Sequence, residues 1–302
     1  MSGTTTGQAG SGPSPLPGKV SAPAGVDEPM LVEVFSDVVC PWCAIGKRRF
    51  EVALAHFEHA GEVEVVFRAF ELDPRAPREV EGDYAERLAR KYGMTRDQAL
   101  NANDRLTAMA AAEGLDFHFE RVRPGCTFDA HRLLHHAGRV GPDAQGALKE
   151  RLFAAYFTEG EAIGRPEVLA ALAAEAGLDA DECAAVLASD RYAAEVRADE
   201  QEALDLGVTG VPFFLVDRKF GIPGAQDAET ILAVLRRAWA AAHPDGPGDT
   251  PAVVAAPGSP VAHGSVGQGD ACEGDVCAVP APASSDHPEG PSLRPDASAR
   301  AR

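Results

Sequence analysis

Cys40 and Cys43, the outer residues of Cys40-Pro41-Trp42-Cys43, form the pair whose spacing points most directly to chemistry. They follow an apolar, β-branched run, Leu31-Val32-Glu33-Val34-Phe35. They precede a helical pattern from Ala44 to about Ala60, in which Ile45, Phe50, Leu54 and Phe57 recur at near-helical spacing. A thiol at a helix N-terminus meets unpaired N–H groups and the positive end of the helix dipole. Such thiols ionise at roughly pH 3.5–7, so a nucleophilic thiolate exists at neutral pH. Pro41 suits a first helical turn because it has no N–H to leave unpaired. The expected roles are Cys40 as the nucleophile that forms a mixed disulfide, Cys43 as the resolving thiol, and Trp42 as a frame for the sulfur. The chemistry is thiol–disulfide exchange, and its direction depends on the reduction potential of the pair.

The six cysteines fall at 40, 43, 126, 183, 272 and 277. The competing reading of Cys40 and Cys43 is half a zinc site, with Cys272 and Cys277 as the other half. Zinc sites of this type draw their ligands from one compact module, whereas 228 residues separate Cys43 from Cys272. No metal is therefore expected. The Cys272–Cys277 pair is a candidate accessory redox pair or an incidental, weakly metal-binding one: about 30 residues of flexible chain from Ala242 span roughly 30 Å, enough to reach the first pair. Cys183, in an Ala-rich helical run, reads as buried and inert; Cys126 has no assigned role. Asp37, three residues before Cys40, either tunes the thiol or serves only the turn. His131 is a packed, hydrogen-bonded histidine or a proton shuttle, and His135 and His136 read as surface residues.

The elements that position these groups follow from the pattern. Val63–Phe70 reads as a second strand, so the first unit is β-α-β with parallel strands. Residues 81–206 read as helical throughout: a capping box at Thr95-Arg96-Asp97-Gln98 opens a helix to about Glu113, and Thr127 caps one carrying His131. Further helices are expected at 143–157, 166–177, 180–188 and 191–206. Gly207-Val208-Thr209-Gly210-Val211-Pro212 then leads into Phe213-Phe214-Leu215-Val216, with a hairpin partner from Phe220 and a last helix over 227–242. The order β-α-β, helical block, β-β-α is an α/β, thioredoxin-like arrangement with an all-helical insertion between its halves. In that fold a cis proline faces the two cysteines, and the residue before it offers its backbone to the substrate; Val211 and Pro212 are candidates for that place, the alternative being a trans proline on an edge strand.

Residues 1–28 and 243–302 contain no Phe, Trp or Tyr, and 18 of the last 60 residues are Pro or Gly. Segments so poor in large apolar groups do not offset the entropy of ordering. The expected organisation is thus a disordered 1–28, a thioredoxin-like part at 29–80 and 207–242, a helical insertion at 81–206, and a disordered acidic tail at 243–302. The net charge is −18, with no Lys/Arg cluster, which argues against a nucleic-acid partner. With no apolar signal region and no long apolar run, no membrane association is expected and the default location is cytoplasmic.

Several segments resemble one known family. Phe35-Ser36-Asp37-Val38-Val39-Cys40-Pro41-Trp42-Cys43-Ala44-Ile45-Gly46 is similar to the active-site segment of the DsbA-like oxidoreductases of the FrnE subfamily. Phe70-Glu71-Leu72-Asp73-Pro74, Phe128-Asp129-Ala130-His131-Arg132-Leu133, the 207–214 loop and Gly221-Ile222-Pro223-Gly224-Ala225-Gln226 resemble later segments of that subfamily, over about residues 30–242. The resemblance implies disulfide oxidoreductase or isomerase activity on protein or small-molecule disulfides, with no required cofactor. Related 2-hydroxychromene-2-carboxylate isomerases and kappa-class glutathione transferases bind glutathione and place Ser at the first Cys position. Glutathione is therefore a candidate ligand, and a glutathione-dependent isomerase or transferase of aromatic or polyketide-like substrates is the alternative function. A zinc-binding or chaperone-like interaction protein is the second alternative. The oligomeric state is not legible.

Overall fold

The computed structural model describes residues 29–244. The sequence readings on 1–28 and most of 243–302, including the Cys272–Cys277 pair, lie outside the described residues. The first unit is β1 (Met30–Ser36), α1 (Pro41–Ala55), a single 3₁₀ turn at Ala60–Glu62, and β2 (Val63–Ala69). The block that follows holds α2 (Tyr84–Tyr92), α3 (Arg96–Ala112), α4 (Phe128–Val140), α5 (Pro142–Phe153), α6 (Pro166–Glu175), α7 (Ala180–Leu187) and α8 (Ala193–Asp205). The described residues end in β3 (Phe213–Val216), β4 (Phe220–Pro223) and α9 (Ala228–Ala242).

The four strands form one sheet in the order β2-β1-β3-β4. β1 runs parallel to β2, as a helical crossover requires, and antiparallel to β3. Val34 thus sits between Phe67 on one side and Phe214 on the other. Both faces of β1 are covered, which explains its nearly continuous apolar run. Val32 and Val34 pack with Phe50 of α1, Phe214, and Ile231 and Leu235 of α9. Phe35 points the other way, into a second core shared with Leu133, Leu148, Leu152 and Phe157 of the helical block. Cys40 and Cys43 belong to that second core.

Local chemistry sets many of the helix ends. Asp83, Asp179 and Asp227 each accept the backbone N–H three residues on, at 2.8 Å, and the Thr95–Gln98 capping box is complete. Three expectations change. First, Thr127 makes no side-chain cap at the start of α4 and is buried instead. Second, the block is not helical throughout. Residues 113–127 form no regular element, because Phe117 and Phe119 fold inward; Phe117 stacks on Phe157 at 4.4 Å between ring centres. Third, the helix expected over 143–157 ends at Phe153 and continues as a π-helical stretch, Ala154–Glu159, closed by Gly160 at φ 73°. That glycine fits a tight crossing, since a Cβ there would lie 2.5 Å from the Arg121 carbonyl oxygen.

Candidate active site

Cys40 is the N-cap of α1, with Pro41 in the first turn and no side chain capping the helix end. The N–H groups of Cys43 and Ala44 both turn back to the Cys40 carbonyl. The positive end of the α1 dipole therefore lies at Cys40. Both cysteines are buried free thiols in this structure. Cys40 Sγ donates to the Val211 carbonyl oxygen at 3.6 Å, and the Val211–Pro212 peptide is cis. Trp42 is half-buried and packs against the same core. Burial pushes the Cys43 thiol well up, and the neighbouring Cys40 adds to the rise. The cation of Lys149 and the Asp37 backbone amide oppose it.

Asp37 does more than make a turn. Its carboxylate is fully buried, accepts the Leu72 N–H at 2.8 Å, and lies 3.3 Å from His131 Nε2. Burial alone would raise its pKa, but the His131 bond and charge, the Leu72 amide and the Lys149 charge together hold it below the ordinary carboxylate value. Burial pushes His131 down despite Asp37, and its Nε2 meets the Asp37 carboxylate. The histidine on α4 is thus packed and hydrogen-bonded, and it sits directly behind the residue that opens the cysteine turn.

Three residues at the site carried no functional reading from the sequence. Gly46 lies three residues after Cys43, where an added Cβ would meet Pro212 Cγ at 2.8 Å. Its lack of a side chain lets the cis-proline loop rest on α1. Arg49, one turn further along, reaches Glu113 at the end of α3 (2.7 Å) and the Ala225 carbonyl (2.6 Å). Lys149 of α5 is 0 % exposed, and its Nζ donates to the Ser36 carbonyl at 3.4 Å. A signal for Lys149 existed: Gln145, Leu148, Lys149, Leu152 and Phe153 recur at helical spacing, so the lysine lies on the buried stripe of α5.

The remaining cysteines are placed apart from this cluster. Cys183 is buried in α7. Cys126 is half-buried, with Sγ 3.9 Å from Glu71 Oε1. Burial and the nearby Glu200 raise the Glu71 carboxyl to about 7, although Arg197 opposes them. His135 and His136 are not surface residues: His135 Nε2 lies 2.9 Å from Asp199 Oδ2, and His136 is buried beside Tyr192. Packing of α4 against α8 draws both inward. Among the described residues no group of three or more His, Cys, Asp or Glu is arranged to hold a metal ion. No described helix is long and apolar enough to cross a membrane.

A probable DsbA oxidoreductase of Streptomyces coelicolor has a similar structure, with 48 % identity and a TM-score of 0.66, covering 70 % of this chain and 90 % of that one. A 2-hydroxychromene-2-carboxylate isomerase shares the fold at 13 % identity and a TM-score of 0.50, over 70 % of this chain and 97 % of the other. The uncharacterised protein YwbO of Bacillus subtilis is 29 % identical over 196 residues, which are 64 % of this chain and 90 % of that protein. The family description "DSBA-like thioredoxin domain" matches residues 31–236. With two-thirds of its length matched, and a cysteine pair at the start of α1 facing a cis proline, the chain belongs to the DSBA-like thioredoxin family.

Proposed function

We propose that the chain is a thiol–disulfide oxidoreductase whose redox centre is Cys40 and Cys43. The observation that carries this reading is the Cys40 thiol at the uncapped end of α1, held 3.6 Å from the carbonyl beside the cis Val211–Pro212 bond. The Cys40 thiolate attacks one sulfur of a substrate disulfide, and the other substrate sulfur leaves as a thiolate. Cys43 then loses its proton and attacks Cys40 Sγ. The second substrate thiolate leaves, a Cys40–Cys43 disulfide forms, and the substrate has gained the two electrons that the enzyme has lost. The reverse sequence oxidises a dithiol. The Val211 carbonyl meets the Cys40 sulfur, and Trp42, Val211 and Pro212 would contact the substrate, either a protein or a small-molecule disulfide. Residues 29–80 and 207–242 carry the thiols, and the 81–206 block supplies the groups behind them.

Insulin-disulfide reduction with a dithiol reductant tests the reading. Cys40→Ser should abolish it, and Cys43→Ala should accumulate a mixed disulfide with substrate; full activity in Cys40→Ser overturns the assignment. Glutathione enters as a small thiol that could reduce the pair, without being required for the exchange. If the protein were instead a glutathione-dependent isomerase, it would bind glutathione tightly and turn over a substrate that contains no disulfide.

A further inference from the structure

A lysine ammonium with no solvent access is costly, by several kcal/mol, unless charge or hydrogen bonding compensates it. Lys149 is such a group: it is fully buried, with one hydrogen bond, to the Ser36 carbonyl at the end of β1. The rings of Phe153 and Phe67 lie 5.3 and 5.7 Å from its Nζ. Its place is fixed from one turn away. Gln145 bonds both the N–H and the C=O of Phe67 on the sheet edge, at 2.9 and 3.0 Å, and so sets the register of α5 against β2.

The charged and titratable groups that face Lys149 come from three elements. Cys40, Cys43 and Lys47 belong to α1 and its cap, Asp37 to the turn before it, and His131 to α4. The two cysteines and Asp37 favour the ammonium, whereas Lys47 and burial oppose it. Lys47 has its own partners, Glu51 and Glu150. Asp37 already accepts two hydrogen bonds, from Leu72 and His131. The thiols are therefore the groups near Lys149 whose charge changes during turnover.

We propose that Lys149 is the cation that the helical block supplies to the Cys40–Cys43 centre, holding the thiolate charge that each exchange step creates and so making the pair more oxidising. The proposal rests on the disulfide-exchange reading above. Lys149 acts as a charge and exchanges no electrons. In the resolving step Cys43 gives up its proton, its sulfur bonds to Cys40 Sγ, and the Cys40–substrate bond breaks; the departing substrate thiolate takes up a proton from water. A cation beside the buried sulfur lowers the energy of the Cys43 thiolate that must form first. Because it favours the dithiol–thiolate state over the uncharged disulfide, it also draws the redox equilibrium toward the reduced form. Lys149 is thus a positioning residue acting through charge, and it lies about 105 residues along the chain from the thiols it serves.

The test uses the full chain and the Lys149→Met variant, whose unbranched side chain is one atom shorter and carries no charge. The iodoacetamide alkylation rate of the reduced protein is followed against pH, and the equilibrium of the pair is measured against glutathione. The variant should react about tenfold more slowly at neutral pH, and its equilibrium with glutathione should move toward the disulfide by about tenfold. An unchanged alkylation profile and equilibrium in a variant with native circular dichroism overturns the proposal. If that variant does not fold, the wild-type chain decides the matter. With ¹³C-labelled lysine, the Lys149 resonance should titrate at lower pH in the disulfide form than in the dithiol form, because coupling between the sites is reciprocal. Equal midpoints overturn the proposal. Failure of the underlying reading looks different: Cys40→Ser would retain insulin reduction whatever Lys149 does.

Discussion

Cys40 Sγ donates to the Val211 carbonyl oxygen at 3.6 Å, although 171 positions separate the two residues. The thiol comes from the N-cap of α1, and the acceptor from the loop that follows the whole helical block. The antiparallel pairing of β1 with β3, Phe35 opposite Phe213, brings them together. Register therefore governs the site. A one-residue slip would exchange the faces of Phe213 and Phe214 and carry Val211 away from the sulfur.

Gly46 makes a prediction with an unusual sign. Replacing a mid-helix glycine by alanine normally stabilises a helix by about 0.5–1 kcal/mol. Here the new methyl would lie 2.8 Å from Pro212 Cγ and 3.3 Å from Ala225 Cβ. Gly46→Ala should destabilise the protein by about 1–3 kcal/mol, as overpacking does, and lower insulin-reduction activity by displacing the loop. Urea denaturation and the activity assay check it, and a stabilised, fully active variant contradicts the contact.

The parts of the site that the sequence displayed are those encoded locally. A β-branched run, a proline after the first cysteine and a helical period place Cys40 at a helix end without knowledge of the rest. The turn residues before Phe213 likewise mark a loop entering a strand. Gly46, Gln145 and Lys149 act across the fold, and their roles depend on which element arrives opposite them. Lys149 was nonetheless visible as an interruption of the apolar stripe of α5, between Leu148 and Leu152. The inward turn of Phe117 and Phe119 escaped the pattern because their partner, Phe157, belongs to a π-helical stretch about 40 residues later. His135 and His136 read as an exposed polar pair, but the packing of α4 on α8 half-buries His135 and buries His136.

The Asp37–His131 pair gives the protein a defined response to acid. Burial lowers the His131 pKa below its ordinary 6.5, so the unfolded chain takes up this proton before the folded one does. Stability from this group is therefore lost as pH falls from 6.5 toward the lowered value. Asp37 adds a second loss at lower pH, as its depressed carboxyl is protonated below the ordinary 3.8. His131→Asn keeps a donor for Asp37 and cannot titrate. Between about pH 7.5 and 5.5 the wild type should lose more stability than the variant, by up to about 1.4 kcal/mol per pH unit. Parallel urea midpoints across that range would contradict it.

Gln145 should prove unusually sensitive for a polar helix residue. Its amide serves the Phe67 N–H and C=O together and also reaches the Leu134 carbonyl at 3.2 Å. Gln145→Leu keeps much of the volume but leaves these backbone groups without that partner, at a cost of about 1–3 kcal/mol. Amide hydrogen exchange at Phe67 should accelerate in the variant. Unchanged protection at Phe67 would mean that α5 is held to the sheet by its apolar contacts alone.

Lys149 predicts a trend of the same sign on the alkaline side. Burial, only partly offset by the thiols and Asp37, lowers its pKa from 10.5 to about 8. Below about 8 the lysine is charged in both folded and unfolded states, and the burial penalty is present in full. Between about 8 and 10.5 the unfolded chain holds the proton and the folded one does not, so this group's contribution to stability rises with pH. Cys43 acts the other way: its raised pKa lets the unfolded thiol ionise first, so its contribution falls as pH passes 9.0. The two are separated by comparing the wild type with Lys149→Met at about pH 7.5 and pH 10. At the lower pH the methionine variant should be the more stable, because it escapes the cost of a buried charge. At the higher pH its advantage should shrink. An advantage that stays constant across the range would show that the lysine does not lose its proton in the folded protein there.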